Sequence, residues 1–253
     1  VQDEHVGNSF PGYAEEMPKH GHRWIEIMRK ERGAGSATDV AYLPTMCQHC
    51  DDAPCMKAAP DAVSKRPDGI VIIDPVKAKG RKDLVGSCPY GAIWWNEEKQ
   101  VPQHWIFDAH LLDAGWKEPR CVTVCATNAL QSVKVDDDEM LHLIDKQGLE
   151  VLHEEYETKP RVYYKNLWRY TSSFIAGSLS GIRDNKIECL EGLEVQLVFH
   201  NENVETQNTD NFGDFKFDKL KARGQTYQVQ VIDKGKIVKT IDVILDQSIN
   251  IGE

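Results

Sequence analysis

Cys47, Cys50 and Cys55 form a C-x2-C-x4-C run, and Cys88 is followed at once by Pro89. Three closely spaced thiolates completed by a distant cysteine ahead of a proline make the ligand set of a 4Fe-4S cluster, and in two-cluster proteins that fourth ligand comes from the other motif. The crossed arrangement predicts that Cys88 completes the site begun by Cys47, Cys50 and Cys55. Four thiolates also suit structural zinc, with His49 or His110 able to stand in for one of them. Both readings fit a reducing, cytoplasmic setting better than a disulfide framework does. The cysteines are odd in number, seven, and six of them fall between Cys47 and Cys125.

The positions where ligands are missing sharpen the pattern. A second ferredoxin half ending at Cys88 would place its first three ligands at Ala78, Arg81 and Leu84, and their crossed partner would be Ala59, which precedes Pro60. One whole quartet has been replaced together while its neighbour is intact. Cys88-Pro89-Tyr90-Gly91-Ala92-Ile93 and Cys125-Ala126-Thr127-Asn128-Ala129-Leu130 share a C-x-x-x-A-apolar frame, and Cys121 precedes Cys125 by the x3 spacing of a further motif. The upstream C-x2-C of that motif falls on Trp105 and Asp108, which leaves Cys121, with Asp108 as an unusual oxygen ligand, for its cluster. Cys121 and Cys125 are therefore candidate ligands or reduced core thiols, since cysteine packs readily in apolar interiors. Cys189, in Glu188-Cys189-Leu190-Glu191, reads as a core or loop thiol.

The elements that must position these residues divide near residue 170. All eleven prolines lie at or before Pro160 and all six tryptophans at or before Trp168, so the expected domains are 1–170 and 171–253. The first reads as loops, with one amphipathic helix over Asp136 to Leu152. The second alternates apolar and polar residues at Leu193 to Phe199, Phe215 to Phe217, Tyr227 to Val231 and Ile241 to Leu245, the period of half-buried strands. The fold expected is α+β: a loop-rich ferredoxin-like 4Fe-4S domain followed by a small antiparallel β-sandwich or barrel.

Net charge limits the partners. The 253 residues carry a formal charge of −10, unsuited to nucleic acid, which is held by neutralising phosphates with Lys and Arg. An anionic membrane surface is disfavoured on the same ground. No apolar run approaches the roughly 20 residues of a membrane span, and the first thirty residues, with Asp3, Glu4, Glu15 and Glu16, lack the basic start and apolar stretch of a secretion signal. Gly33-Ala34-Gly35-Ser36 is too short to bind a nucleotide, and no nucleophile with a base or catalytic carboxylate pair stands out, so no catalytic residue is assigned.

Further runs carry a resemblance. His22-Arg23-Trp24, Glu31-Arg32-Gly33, Cys47 to Cys55, Asp68-Gly69-Ile70-Val71, Cys88-Pro89-Tyr90-Gly91, Trp95-Asn96-Glu97-Glu98, Ala109-His110-Leu111-Leu112-Asp113 and Lys159-Pro160-Arg161 through Leu167 together resemble the iron-sulfur subunits of the dimethyl sulfoxide reductase family of molybdopterin oxidoreductases, transhydroxylases included. The resemblance covers nearly the whole chain. It implies electron transfer by 4Fe-4S clusters, with substrate chemistry on a large partner subunit holding Mo or W with two molybdopterin guanine dinucleotides. Relatives carry a four-cysteine group before Asp-Glu-His; here Val1 stands at its fourth cysteine, ahead of Asp3-Glu4-His5. On that pattern Cys121 groups with Val1, Trp105 and Asp108, and Cys125 with ligands upstream of Val1. A mainly structural subunit with a residual cluster, or a zinc-binding interaction module, are the alternatives.

Overall fold

The computed structural model describes residues 1–183 and 185–252. They form two compact units, neither of them one continuous stretch: the first joins Val1–Met28 to Pro44–Leu167, the second joins Arg29–Leu43 to the chain from Trp168 onward. Both are mostly β with few helices.

The first unit is built from two-stranded hairpins and single helical turns. After the short helix α1 (Gln2–His5) the chain forms the hairpin β1 (Ile25–Arg32) and β2 (Asp39–Met46), whose distal part, Arg29–Leu43, groups with the second unit. Sequence alternation misses this hairpin because charged residues occupy both faces of β1. Helix α2 (Pro54–Ala58) starts on Pro54, whose missing N–H costs nothing in a first turn. The pairs β3 (Val63–Lys65) with β4 (Val71–Ile73) and β5 (Trp94–Asn96) with β6 (Val101–Gln103) follow, then α3 (Ala109–Asp113) and α4 (Arg120–Thr123). Helix α5 (Asp137–Gln147) is shorter than the expected span: Asp136 caps it by accepting the Glu139 amide at 2.8 Å, and Gly148 ends it in the left-handed conformation. The next residues pair as β7 (Leu149–Glu150) with β8 (Tyr164–Lys165). Two apolar clusters serve as cores, one around Trp24, Met17, Ile106 and Trp105, the other around Ala59, Ala78, Leu84 and Ile73.

The second unit begins with α6 (Trp168–Thr171) and β9 (Ser173–Ser178), then β10 (Ser180–Arg183), β11 (Lys186–Cys189), β12 (Glu194–Phe199), β13 (Glu202–Asn208), β14 (Asp214–Leu220), β15 (Gln225–Asp233), β16 (Lys236–Leu245) and β17 (Ile249–Asn250). One sheet has the order β13-β12-β15-β16, another β14-β9-β17, and β10 with β11 forms a separate hairpin. Val195, Leu197, Val229, Val231 and Leu245 from the four-stranded sheet and Ile175 and Phe217 from the three-stranded sheet share one core. The alternating residues read from the sequence supply this core. One pairing departs from the antiparallel expectation: β17 runs parallel to β9, as strands far apart in sequence are free to do without a hairpin turn.

At the distal end of the β1–β2 hairpin Gly33 has φ +76°, and a Cβ there would collide with the Ala37 carbonyl oxygen and the Phe174 ring. The Gly33-Ala34-Gly35 run is a tight turn under an aromatic ring. Beside it the Arg32 guanidinium, 1% exposed, is held by Asp39 and Asp218 and stacks near Phe174, 5.0 Å from its centroid.

Candidate metal centre

Cys47 follows β2, Cys50 closes the C-x2-C loop, Cys55 lies in α2, and Cys88 leaves a 3-10 turn over Lys82–Ser87. The fold brings these four thiols into one neighbourhood, where the charge of Cys88 is felt by the other three. Burial pushes the Cys47 thiol well above its ordinary value, and Cys88, Cys55 and Cys50 push it further. Burial raises Cys55 to about 11, with Cys88 and Cys50 adding to it. Cys50 is likewise raised by burial and by Cys88, against a hydrogen bond from the Thr158 hydroxyl. Four sulfurs, Cys50 buried and the others half-buried, need a cationic centre to ionise together, and a bound iron or zinc ion is such a centre. Backbone amides of His49 and Met56 point at the Cys47 and Cys55 sulfurs.

Distant residues hold this loop in shape. Lys65 Nζ donates to the carbonyl oxygens of His49 at 2.6 Å and Cys50 at 3.0 Å and pairs with Asp51 at 2.7 Å. The amides of Asp51 and Asp52 donate to the Lys159 and Thr158 carbonyls, the Arg161 amide donates to the Gln48 carbonyl, and the Arg161 guanidinium reaches Asp51. Tyr90, two residues after Cys88, meets the Thr158 hydroxyl at 2.7 Å. A hydrogen-bonded line thus runs from Tyr90 through Thr158 to the Cys50 sulfur. Sequence places Tyr90 in the Cys88-Pro89-Tyr90-Gly91 run and Thr158 just before Lys159-Pro160-Arg161 without assigning either a role, and gives no signal for Lys65.

The histidines divide. Ligand atoms of Cys47, His49 and His104 lie within 4.8 Å of one another. Both rings are already committed to β4, since His49 Nδ1 accepts the Val71 amide at 3.1 Å and His104 Nε2 donates to the Val71 carbonyl at 2.9 Å. Burial lowers the His104 pKa to about 4 and drives His49 well below its ordinary value, so both stay neutral. His110, the other stand-in ligand expected for zinc, is elsewhere: its Nε2 meets Glu4 at 3.0 Å and its ring packs against Phe10.

The positions that counting assigned to other quartets also converge. Ala59, Ala78 and Leu84 are each 0% exposed in a single apolar cluster with Cys55 and Cys88 packed against it, while Arg81 turns outward to Asp83. Val1, Cys121 and buried Trp105 belong to the other cluster. Asp108, 1% exposed, accepts the Arg120 amide at 2.8 Å and lies 3.8 Å from His5. Burial pushes its carboxyl up, and His5 with the Arg120 amide brings it back below the usual range. Cys125 is separate from these contacts. Its sulfur accepts the Leu130 amide at 3.4 Å, which with the Thr127 hydroxyl lowers its pKa. Cys189 is exposed on β11.

The internal repeat is visible in the backbone. Gly91 and Asn128, each three residues after a cysteine, are both left-handed and both donate an amide to that cysteine's carbonyl at 3.1 Å. His49 and Phe107, each the second residue inside a C-x2-C frame, are left-handed as well, with φ of 47° and 54°. The second frame keeps this turn although Trp105 and Asp108 stand where cysteines would.

Residues 38–135 match the family described as a 4Fe-4S dicluster domain. The chain is 42% identical over 253 residues to the pyrogallol hydroxytransferase small subunit of Pelobacter acidigallici, covering 99% of this chain and 90% of that protein. It is 35% identical over 144 residues to a subunit of tetrathionate reductase from Salmonella typhimurium, covering 54% of this chain and 56% of the relative. It is 32% identical over 163 residues to the beta subunit of selenate reductase from Thauera selenatis, covering 62% of this chain and 49% of the relative. The chain thus spans about half the length of these reductase subunits and nearly all of the hydroxytransferase subunit. No helix among the described residues is long and apolar enough to cross a membrane. With its cysteine runs, its loop-and-hairpin unit around them and this extent of likeness, the chain belongs to the iron-sulfur electron-transfer subunits of the dimethyl sulfoxide reductase family of molybdopterin oxidoreductases.

Proposed function

We propose that Cys47, Cys50, Cys55 and Cys88 hold one 4Fe-4S cluster, and that the chain passes or stores electrons for a large subunit carrying Mo or W with two molybdopterin guanine dinucleotides. The observation that carries this is the convergence of four thiols at crossed ferredoxin spacing, where each would repel the others as a thiolate. A cluster bound there supplies a one-electron store whose potential is set by burial and hydrogen bonds to sulfur. The chain's own residues do the rest. Lys65 and Arg161 fix the 47–55 loop, Thr158 donates to the Cys50 sulfur, and neutral His49 and His104 close one wall against water.

The large partner is inferred from the relatives, which are named as subunits; near-complete coverage of the hydroxytransferase small subunit favours a transhydroxylase-type partner over a reductase. The seven unbridged thiols favour the cytoplasm. The strand region, 171–253, is read as a transthyretin-like or collagen-adhesin-like sandwich, supported by the two sheets that share a core, with the iron-sulfur part in 1–170.

Elemental analysis with low-temperature electron paramagnetic resonance on anaerobically purified protein tests the site. Iron without zinc, a reducible cluster signal, and loss of one cluster's iron in Cys88→Ala are expected. Zinc without iron, or colourless metal-free protein, would overturn it.

A further inference from the structure

The dicluster description of residues 38–135 implies two clusters, and the donors present suit one of them. The second ligand quartet in reach is Val1, Trp105, Asp108 and Cys121. Valine offers no donor atom, and the tryptophan indole has an N–H but no lone pair for a metal. Of the Asp108 oxygens one takes the Arg120 amide, and the other lies 3.8 Å from His5 with no hydrogen-bond partner, a single carboxylate oxygen where a cluster needs four ligands. Cys121 alone keeps the sulfur a cluster needs.

The space is also taken. Trp105 is 3% exposed, with its ring 5.0 Å from Phe107 and 5.7 Å from His49, and it shares a core with Trp24, Met17 and Ile106. Val1 and Cys121 pack against that core. The same exchange has happened elsewhere in the chain, where Ala59, Ala78 and Leu84 fill the other vacated quartet position at 0% exposure and Arg81 has turned to the surface.

We propose that the Val1, Trp105, Asp108 and Cys121 position holds no iron-sulfur cluster and is a core built around Trp105, with Cys121 a packing thiol and Asp108 held by the Arg120 amide beside His5. Of the Cys47 and Cys121 quartets, only the first then carries a cluster, and no centre at the second position extends a route from it.

The inference rests on the cluster reading of the Cys47 site, and two variants of the full chain, isolated anaerobically, separate the two. In Cys121→Ala, iron content and the paramagnetic resonance spectrum should match the parent; loss of one cluster's iron would overturn the inference while leaving the Cys47 site in place. Trp105→Ala should melt roughly 10 °C below the parent, with Trp105→Phe recovering most of the difference; an unchanged melting temperature would overturn the packing role. A parent chain without iron would instead fail the reading of the Cys47 site itself.

Discussion

Thr158 is the side chain through which the protein reaches a ligand sulfur from far along the sequence. It is 3% exposed, donates to Cys50, and accepts from Tyr90 in turn. A hydrogen bond to sulfur stabilises the more negative, reduced state of a cluster, so removing it should make reduction harder. Thr158→Val is expected to move the midpoint potential negative by on the order of 40 mV, the equivalent of about 1 kcal/mol for one electron. Tyr90→Phe, one bond further out, should move it less, and a potentiometric titration followed by paramagnetic resonance checks both. Cysteine spacing alone named the four thiols that converge, because short spacings confine ligands to one loop. It did not name Thr158, whose contact depends on how segments 110 residues or so apart meet in the fold, or Lys65, which reaches back from the neighbouring β3 strand.

At the scale of elements, the β1–β2 hairpin is stabilised more by charge than by apolar burial. Arg32 lies within an acidic pair, Asp39 at 3.1 Å and Asp218, with Arg169 and Lys216 also facing these carboxylates. Removing a buried partner leaves the remaining groups desolvated and poorly matched. Arg32→Met should therefore destabilise by about 3 kcal/mol in urea unfolding, and Arg32→Lys should restore only part of it, because an ammonium cannot span two carboxylates as the planar fork does. This charge-rich design is also why the hairpin escaped the sequence pattern, while β12, β14, β15 and β16 were legible in it: their inward residues are large and apolar and alternate strictly. β13 was hidden for a related reason. It is an edge strand of polar residues, with Val204 51% exposed. The helix read over Asp136 to Leu152 lost its last turn to Gly148, whose left-handed cap stops it before Leu149 enters β7.

For the whole molecule, the two units draw on different sources of cohesion. The second has eleven buried residues in one continuous core and four- and three-stranded sheets. The first has strands of two or three residues beyond β2 and no helix longer than α5, so its loops rely on side-chain ties and on whatever the four thiols bind. Anaerobic removal of iron should then abolish the native amide resonances of the 47–167 region while the strand signals from 173–250 persist, which two-dimensional NMR of labelled protein would report. Loss of both sets together would show that the second unit does not stand on its own core. The left-handed turn at Phe107, repeated from His49, gives this contrast a further sense. A non-glycine residue in that conformation is costly, on the order of 1 kcal/mol, yet the turn is present where no thiols flank it. One chain path thus serves two sets of side chains, and what separates a thiol-lined turn from an apolar one here is the residues at Val1, Trp105 and Asp108, with the loop between them the same.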